Sequence, residues 1–339
     1  MTANSRTRPT IALAMGDPAG ISPELTAKIV ALDEARAAAR IVVIGDKRVF
    51  DAGAAVAGVA TDVDVLADGD PLPAATDRPA FIDLRHLDPA TIARGVAARE
   101  GGQFALANYR HALRLVADGH ADAVCFTPFN KQAMRLAEPS YDDEIGFTAG
   151  VLGTTGPATE FNILEGLWNA RVTSHVPMAD MPALLNVDDI VKALELTADA
   201  LRAAGFEPPR IAVAALNPHA GDGGNFGREE IDIIGPAVVA AKARGICAEG
   251  PFPADTVFVR ARRGDFDAVL TMYHDQGQIA MKLMGFDRGV TLLGGFPFPI
   301  CTPAHGTAYE IAGKGVANLG ATRAAVLLAA EMARRAQRH

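Results

Sequence analysis

Three histidines stand in short polar phrases, each directly behind an apolar run. They are Thr173-Ser174-His175-Val176-Pro177, Asn217-Pro218-His219-Ala220-Gly221-Asp222-Gly223-Gly224 and Tyr273-His274-Asp275-Gln276-Gly277. Imidazoles at the ends of buried strands are where an α/β protein gathers a site. Any one of them alone reads as an ordinary structural histidine; the repeated context points to more. Three suit a catalytic divalent metal with three protein ligands and an open position. That ligand set favours zinc, manganese or cobalt, with magnesium as the harder alternative. Asp222, Asp255 and Asp275 are candidates to orient such imidazoles or to act as a base. Turn hydrogen bonding and helix capping are the ordinary roles of Asp222 and Asp255.

The elements that must position these groups alternate between short apolar runs and Ala-rich helical stretches. That pattern predicts an α/β fold with a mainly parallel sheet covered on both faces. Strands are expected at 10–15, 41–44, 123–126, 161–164, 171–174, 211–216 and 268–271, and helices at 23–31, 103–117, 187–204, 231–243 and 322–336. The Asp- and Pro-rich stretch 68–79 reads as a surface excursion, and the acidic stretch 138–146 as a lid or domain crossing. Gly16-Asp17-Pro18-Ala19-Gly20-Ile21-Ser22-Pro23 follows the first strand. It is either a backbone cradle for phosphate or a tight turn in which Ser22 caps a helix with Pro23 at N1. Neither this turn nor Gly45-Asp46 carries the Gly-x-Gly-x-x-Gly dinucleotide fingerprint. Lys131, behind Thr127-Pro128-Phe129-Asn130, reads as support for a site or as a solvated lysine. Trp168 and Tyr141 read as core or lid, and Glu160 and Glu165 as strand flanks.

The 339 residues imply two domains, or one large α/β unit with an excursion. With 49% hydrophobic and 21% charged residues the chain can bury a proper interior. A net charge of −8 and dispersed cations argue against a nucleic-acid partner. The basic cluster Arg334, Arg335 and Arg338 suits a helix C-terminus. Cys125, Cys247 and Cys301 have no ligand or disulfide spacing, as in reduced cytosolic proteins. With no secretory leader and no long apolar run, a soluble cytoplasmic protein without membrane contact is expected.

Four phrases occur in one order over nearly the whole chain: Met15-Gly16-Asp17-Pro18-Ala19-Gly20-Ile21, the Asn217–Gly224 phrase, Tyr273-His274-Asp275-Gln276-Gly277 and His305-Gly306-Thr307-Ala308. As an ordered set they resemble the 4-hydroxythreonine-4-phosphate dehydrogenase (PdxA) family of vitamin B6 biosynthesis. The resemblance implies the two-domain α/β/α fold of isocitrate and isopropylmalate dehydrogenases, with a cleft between domains and an obligate homodimer. The implied division is 1–140 plus 300–339, and 141–299 with the metal ligands and the dimer interface. The resemblance also implies a divalent metal on His175, His219 and His274, two from one subunit and one from the other. His305, Gly306, Thr307 and Ala308, continuing to Ala312-Gly313, are similar to the loop that holds the adenine half of NAD or NADP. A cofactor site of that kind accounts for the missing fingerprint.

Three positions depart from the family pattern. Gly146-Phe147-Thr148 stands where the family has Gly-His-Thr, Thr291 replaces an Asn after Arg288-Gly289-Val290, and Ile300 replaces an Arg. In the family these positions, with a lysine matching Lys282, hold a phosphorylated substrate. Each lost charge-assisted hydrogen bond is worth roughly 1.5–3 kcal/mol, so losing three weakens phosphate binding by orders of magnitude. Phe147 and Ile300 offer an apolar wall instead, with Thr148 beside them. The expected substrate is an unphosphorylated β-hydroxy carboxylate, such as an aromatic cis-dihydrodiol carboxylate derived from terephthalate, or a phosphorylated one held quite differently. Oxidation by nicotinamide, with decarboxylation of the β-keto acid, would use Lys282 and Asp275 as the catalytic side chains, and Lys282, Arg288 or Arg171 as the cation for a carboxylate. The competing readings are a metal-dependent lyase or aldolase without redox chemistry, which the 305–308 loop argues against, and a non-catalytic binding protein, which the three histidines argue against.

Overall fold

The structure, a computed structural model, describes residues 8–73 and 77–338. The chain divides into two compact units, Met1–Thr155 with Phe296–His339, and Gly156–Gly295.

The first unit runs β1 (Thr10–Ala14), α1 (Ser22–Ala31), α2 (Asp33–Ala38), β2 (Arg40–Gly45), α3 (Lys47–Ala57), β3 (Asp64–Ala67), β4 (Ala80–Asp83), α4 (Arg99–Ala117), β5 (Ala123–Phe126), α5 (Lys131–Ala137) and α6 (Glu144–Leu152). The second holds β6 (Thr159–Leu164), β7 (Leu167–Arg171), α7 (Met181–Leu184), α8 (Val187–Ala203), β8 (Ile211–Ala214), α9 (Gly235–Ala243), β9 (Ala248–Phe252), α10 (Ala254–Arg262), β10 (Ala268–Thr271), α11 (His274–Gly285) and β11 (Val290–Gly294). β12 (Ile300–Pro303) and α12 (Gly320–Ala336) then complete the first unit.

In the first unit the strand order is β3-β4-β2-β1-β5-β12, parallel throughout. β1, β5 and nearly all of β2 are buried at every residue, as parallel strands covered on both faces must be. The second unit has the order β11-β6-β7-β10-β8-β9. Its β7, β10, β8 and β9 are parallel, whereas β6 pairs antiparallel with both β7 and β11. The α/β class with a mainly parallel sheet is therefore as expected. Among the described residues no helix is long and apolar enough to cross a membrane.

Several expectations need correction. The boundary falls after Thr155 instead of 140, because Tyr141 and Phe147 pack with Leu106, Met134 and Phe129 in the first unit. The return falls at 295/296, ahead of 299/300. The acidic stretch 138–146 is irregular only as far as Asp143, whose side chain caps α6 by accepting from Gly146 N. The strand expected at 171–174 lies at Leu167–Arg171. It starts behind the left-handed Gly166 and hides a fully buried Asn169 that interrupts the apolar run. Ser22 does not cap α1; its Oγ donates to Pro128 O at 2.7 Å.

Candidate functional site

β7 and β10 are in register from Trp168 opposite Ala268 to Arg171 opposite Thr271. The pairing continues beyond both strand ends. Val172 N donates to Thr271 O at 2.9 Å, while Thr173 N and Oγ1 donate to Met272 O at 3.1 and 2.8 Å. Loops tied in this way carry His175 and His274 to a ring separation of 5.6 Å. His274 Nδ1 meets Asp275 Oδ1 at 2.7 Å, so the carboxylate orients the ring and Nε2 stays free. α11 can sit this low on β7 because position 277 is glycine: a Cβ there would lie 2.1 Å from Asn169 Oδ1. Asn169 is itself fixed, donating to Ala170 O and Val269 O at 3.0 Å and to Thr271 Oγ1 at 3.2 Å.

Gln276 links this corner to the Asn217–Gly224 phrase. Its Oε1 accepts from Met272 N and its Nε2 donates to Ala215 O, both at 2.7 Å. Beyond Ala215 the chain enters a left-handed run in which His219, Ala220, Gly221, Asp222 and Gly223 all have φ between 45° and 79°. Three of these are not glycine, and each such residue costs roughly 1–2 kcal/mol. Burial pushes the Glu230 carboxyl up, but hydrogen bonds from Asn217 and the backbone outweigh it and leave it below the usual range. His219 is exposed, 6.3 Å from the Phe226 ring. Among the described residues no three His, Cys, Asp or Glu side chains form a metal-holding group. One chain therefore brings His175 and His274 together but does not add His219. Asp222 engages Asn225 Nδ2 at 3.0 Å, and Asp255 lies in the first turn of α10.

A buried polar network lies behind the pair. Arg171 donates from Nε to Ser174 Oγ at 3.0 Å, from Nη1 to Asn162 Oδ1 at 2.7 Å and from Nη2 to Glu160 Oε2 at 2.6 Å. Asn162 also accepts from Gln278 Nε2 and donates to Thr291 Oγ1 at 3.4 Å. Arg171 is only 5% exposed and fully engaged, so it is no free cation for a substrate carboxylate. Lys282 is exposed on α11 and has no ion pair or hydrogen bond among the described residues, while Arg288 makes only a long 3.8 Å pair with Asp287. Asn162, Gln278, Gln276 and Glu230 escape sequence reading, because amides and single carboxylates in strands and helices leave no spacing signal.

The remaining predicted residues lie in the first unit. Ile300 is fully buried in β12 opposite Val124, so it cannot form an apolar wall. Thr148 is also buried, its Oγ1 bonded at 2.6 Å to both Tyr109 OH and Glu144 O. Phe147 is half-buried, stacked 5.6 Å from the Tyr109 ring with the Arg110 guanidinium 5.0 Å from its centroid. Lys131 pairs with Glu144 at 3.2 Å. Trp168 is core, edge-on to Phe206.

The 305–308 loop is held by the turn after β1. Ile21 N donates to Thr307 O at 3.1 Å, and a Cβ on Gly20 would lie 2.7 Å from that oxygen. Tyr309 OH donates to Asp17, whose carboxyl burial pushes up against the opposing hydrogen bonds of Tyr309 and Ala19 N. Further along, Glu24 Oε1 accepts from Ala317 N at 2.8 Å and Lys28 Nζ at 2.6 Å, and Lys28 reaches Gly315 O and Ala317 O. His305 Nδ1 contacts Gly306 O at 3.0 Å, and Ala308 is left-handed. Beside this frame lies a cavity of about 260 Å³ lined by Pro18, Gly20, Pro23, Val49, Arg94 and Gly313. This cavity lies next to the loop, and none of the three histidines lines it.

A family model described as "Pyridoxal phosphate biosynthetic protein PdxA" matches residues 37–329. A Rhizobium meliloti protein provisionally named 4-hydroxythreonine-4-phosphate dehydrogenase 2 is 63% identical over 328 residues, covering 97% of this chain and 94% of its own. The crystal structure of 4-hydroxythreonine-4-phosphate dehydrogenase from Klebsiella pneumoniae superposes with a TM-score of 0.83 at 34% identity, over 96% of this chain and 99% of that one. Terephthalate 1,2-cis-dihydrodiol dehydrogenase from Burkholderia xenovorans gives a TM-score of 0.64 at 29% identity, over 93% and 95% of the two chains.

Proposed function

Because this chain belongs to the PdxA family and is an oxidoreductase of the dehydrogenase class acting on CH–OH groups, we propose that it oxidises an unphosphorylated β-hydroxy carboxylate with NAD or NADP and a divalent metal, releasing carbon dioxide from the β-keto acid. The observation that carries this reading is the His175–His274 pair, oriented by Asp275, at the head of the helix that presents Lys282.

The donor chemistry fits a divalent cation. Two imidazoles on one tetrahedral centre, with metal–nitrogen bonds of about 2.0–2.1 Å, would put their ring centres roughly 5 Å apart. The observed 5.6 Å is close to that. His175 and His274, with His219 of a second copy of the chain, would hold the cation. Bound there, it supplies Lewis acidity at the substrate hydroxyl.

The chain's own residues do the rest. Asp275 holds the His274 ring through Nδ1, which leaves Nε2 for a ligand. Lys282, about 12 Å along α11 from His274 at 1.5 Å per residue, pairs with a substrate carboxylate. It also holds the proton that takes the place of the departing carboxyl group at carbon. The Thr307–Ala317 frame and its adjoining cavity support the adenosine half of the cofactor.

The unphosphorylated substrate rests on Phe147, Thr291 and Ile300, none of which is a cation, and on Arg171 being engaged elsewhere. Ile300 is core and offers a substrate no surface. The shared site has support of its own. His219 is exposed and separate from the pair, and Ile279, Leu283 and Phe286, spaced four and three apart behind His274, are bare, with Leu283 83% exposed. Three exposed apolar side chains in a row support a second copy of the chain docking here.

The test is reduction of NAD⁺ and NADP⁺, followed by absorbance, with added Zn²⁺, Mn²⁺, Co²⁺ or Mg²⁺. The panel pairs 4-phosphohydroxy-threonine and the 4-phosphates of threonate and erythronate with their dephospho forms, plus the terephthalate cis-dihydrodiol. Turnover of unphosphorylated acids alone is expected. Turnover confined to the phosphate esters would overturn the substrate class.

A further inference from the structure

The left-handed run at 219–223 is an unusual way to present a histidine, and something must hold it. We propose that Glu230 is the positioning residue for His219; the inference rests on reading His219 as a metal ligand.

Glu230 is 5% exposed and aims its carboxylate back at the entry of the turn. Oε1 accepts from Leu216 N at 2.8 Å and Asn217 N at 2.7 Å, and Oε2 accepts from Asn217 Nδ2 at 3.0 Å. The same amide also donates to Glu229 Oε2 at 2.6 Å. Both residues that lead into Pro218-His219 are thus fixed to one buried carboxylate.

The turn then folds over its anchor. A Cβ on Gly221 would lie 2.7 Å from Glu230 Oε2, and one on Gly227 would lie 2.4 Å from Asn217 Nδ2. Only glycine allows the backbone this close to the carboxylate. Glu230 also opens a π-helical segment, Glu230–Ile234, ahead of α9. Such segments are rare and recur where a side chain serves a site. The anchor touches neither substrate nor cofactor; it fixes the direction in which the His219 ring leaves the surface.

The experiment uses the purified full chain and Co²⁺ alone as probe, read by calorimetry and by the visible absorption of the bound ion. Glu230→Gln keeps the volume but removes one acceptor from the anchor. It should weaken Co²⁺ binding by roughly 10-fold or more and change the visible spectrum. His219→Ala should weaken binding further. Wild-type affinity and spectrum in Glu230→Gln, with binding lost in His219→Ala, would overturn the positioning role. Wild-type binding in His219→Ala would overturn the metal reading itself. Should Glu230→Gln fail to fold, Asn217→Ser removes only the side-chain half of the anchor. Weaker binding is then expected, and unchanged binding refutes the proposal.

Discussion

Replacing Gly277 by alanine sets two effects of opposite sign against each other. In a helix interior alanine is favoured over glycine by about 1 kcal/mol. The added methyl would sit 2.1 Å from Asn169 Oδ1 and 2.5 Å from Cγ and Nδ2. Asn169 cannot swing aside without giving up donations to Ala170 O, Val269 O and Thr271 Oγ1 in a fully buried place. Overpacking of a tight interior costs about 1–3 kcal/mol, and each neutral hydrogen bond surrendered about 1 kcal/mol more. A clash near 3 kcal/mol against a gain near 1 leaves a net destabilisation of about 2 kcal/mol. That lowers the midpoint of thermal unfolding by about 5 °C for a unit of this size. The assay is urea and thermal unfolding of four proteins: wild type, Gly277→Ala, Asn169→Ala and the double variant. On the Asn169→Ala background the methyl meets no amide, so Gly277→Ala should there stabilise by about 1 kcal/mol. The reasoning is refuted if Gly277→Ala shifts both backgrounds by the same amount, or stabilises the wild type.

Two further outcomes are expected. On the proposed shared site, His219→Ala and His274→Ala should each be inactive alone, but mixed in equal amounts and reassociated they should recover about a quarter of wild-type activity, since half of the proposed dimers would be mixed and each would carry one intact site; no recovery would refute the shared site. Asp46 is fully buried and accepts from Arg48 Nε, Nη2 and N and from Leu87 N, and although burial raises its pKa, these bonds win and hold it below 3.8. A depressed carboxyl stabilises fully above its unfolded value and loses that contribution as pH falls through the folded one. Asp46→Asn should therefore unfold more readily than wild type at pH 7, with the two midpoints converging below pH 3.8; a constant difference would refute the assignment.

What the residues disclosed followed from their physics. His175, His219 and His274 were legible because each stands where an apolar run stops, and 123–126 and 268–271 read as strands because they are short runs that are apolar throughout or up to the closing Thr271. α11 was illegible because His274-Asp275-Gln276-Gly277 has the composition of a turn. Its glycine is there for the bulk of Asn169 across the interface, which no one-dimensional pattern registers. β11 and β12 were missed since Gly294, Gly295, Pro297, Pro299 and Pro303 crowd two short strands. Ile300 looked like a specificity residue by its position, yet only three-dimensional packing reveals that its side chain is enclosed in the sheet. Arg171 looked like a spare cation because its partners stand at no regular spacing: Glu160 and Asn162 lie eleven and nine residues before it on the neighbouring strand, and Ser174 three residues after it.

The interrupted layout of the first unit has a consequence for synthesis. Residues 156–295 are continuous, so the second unit can complete itself as soon as it clears the ribosome. The first unit cannot. Its β5 waits with an open edge for β12, where Ile300 pairs with Val124 and Cys301 with Cys125, and α1 waits for Ala317 to reach Glu24. Until then the fully apolar Ala123–Phe126 is an unguarded ladder, the kind of edge that recruits other chains. The part made first is therefore finished last, and a nascent chain halted before residue 300 should be a template for aggregation even though its second unit is already folded.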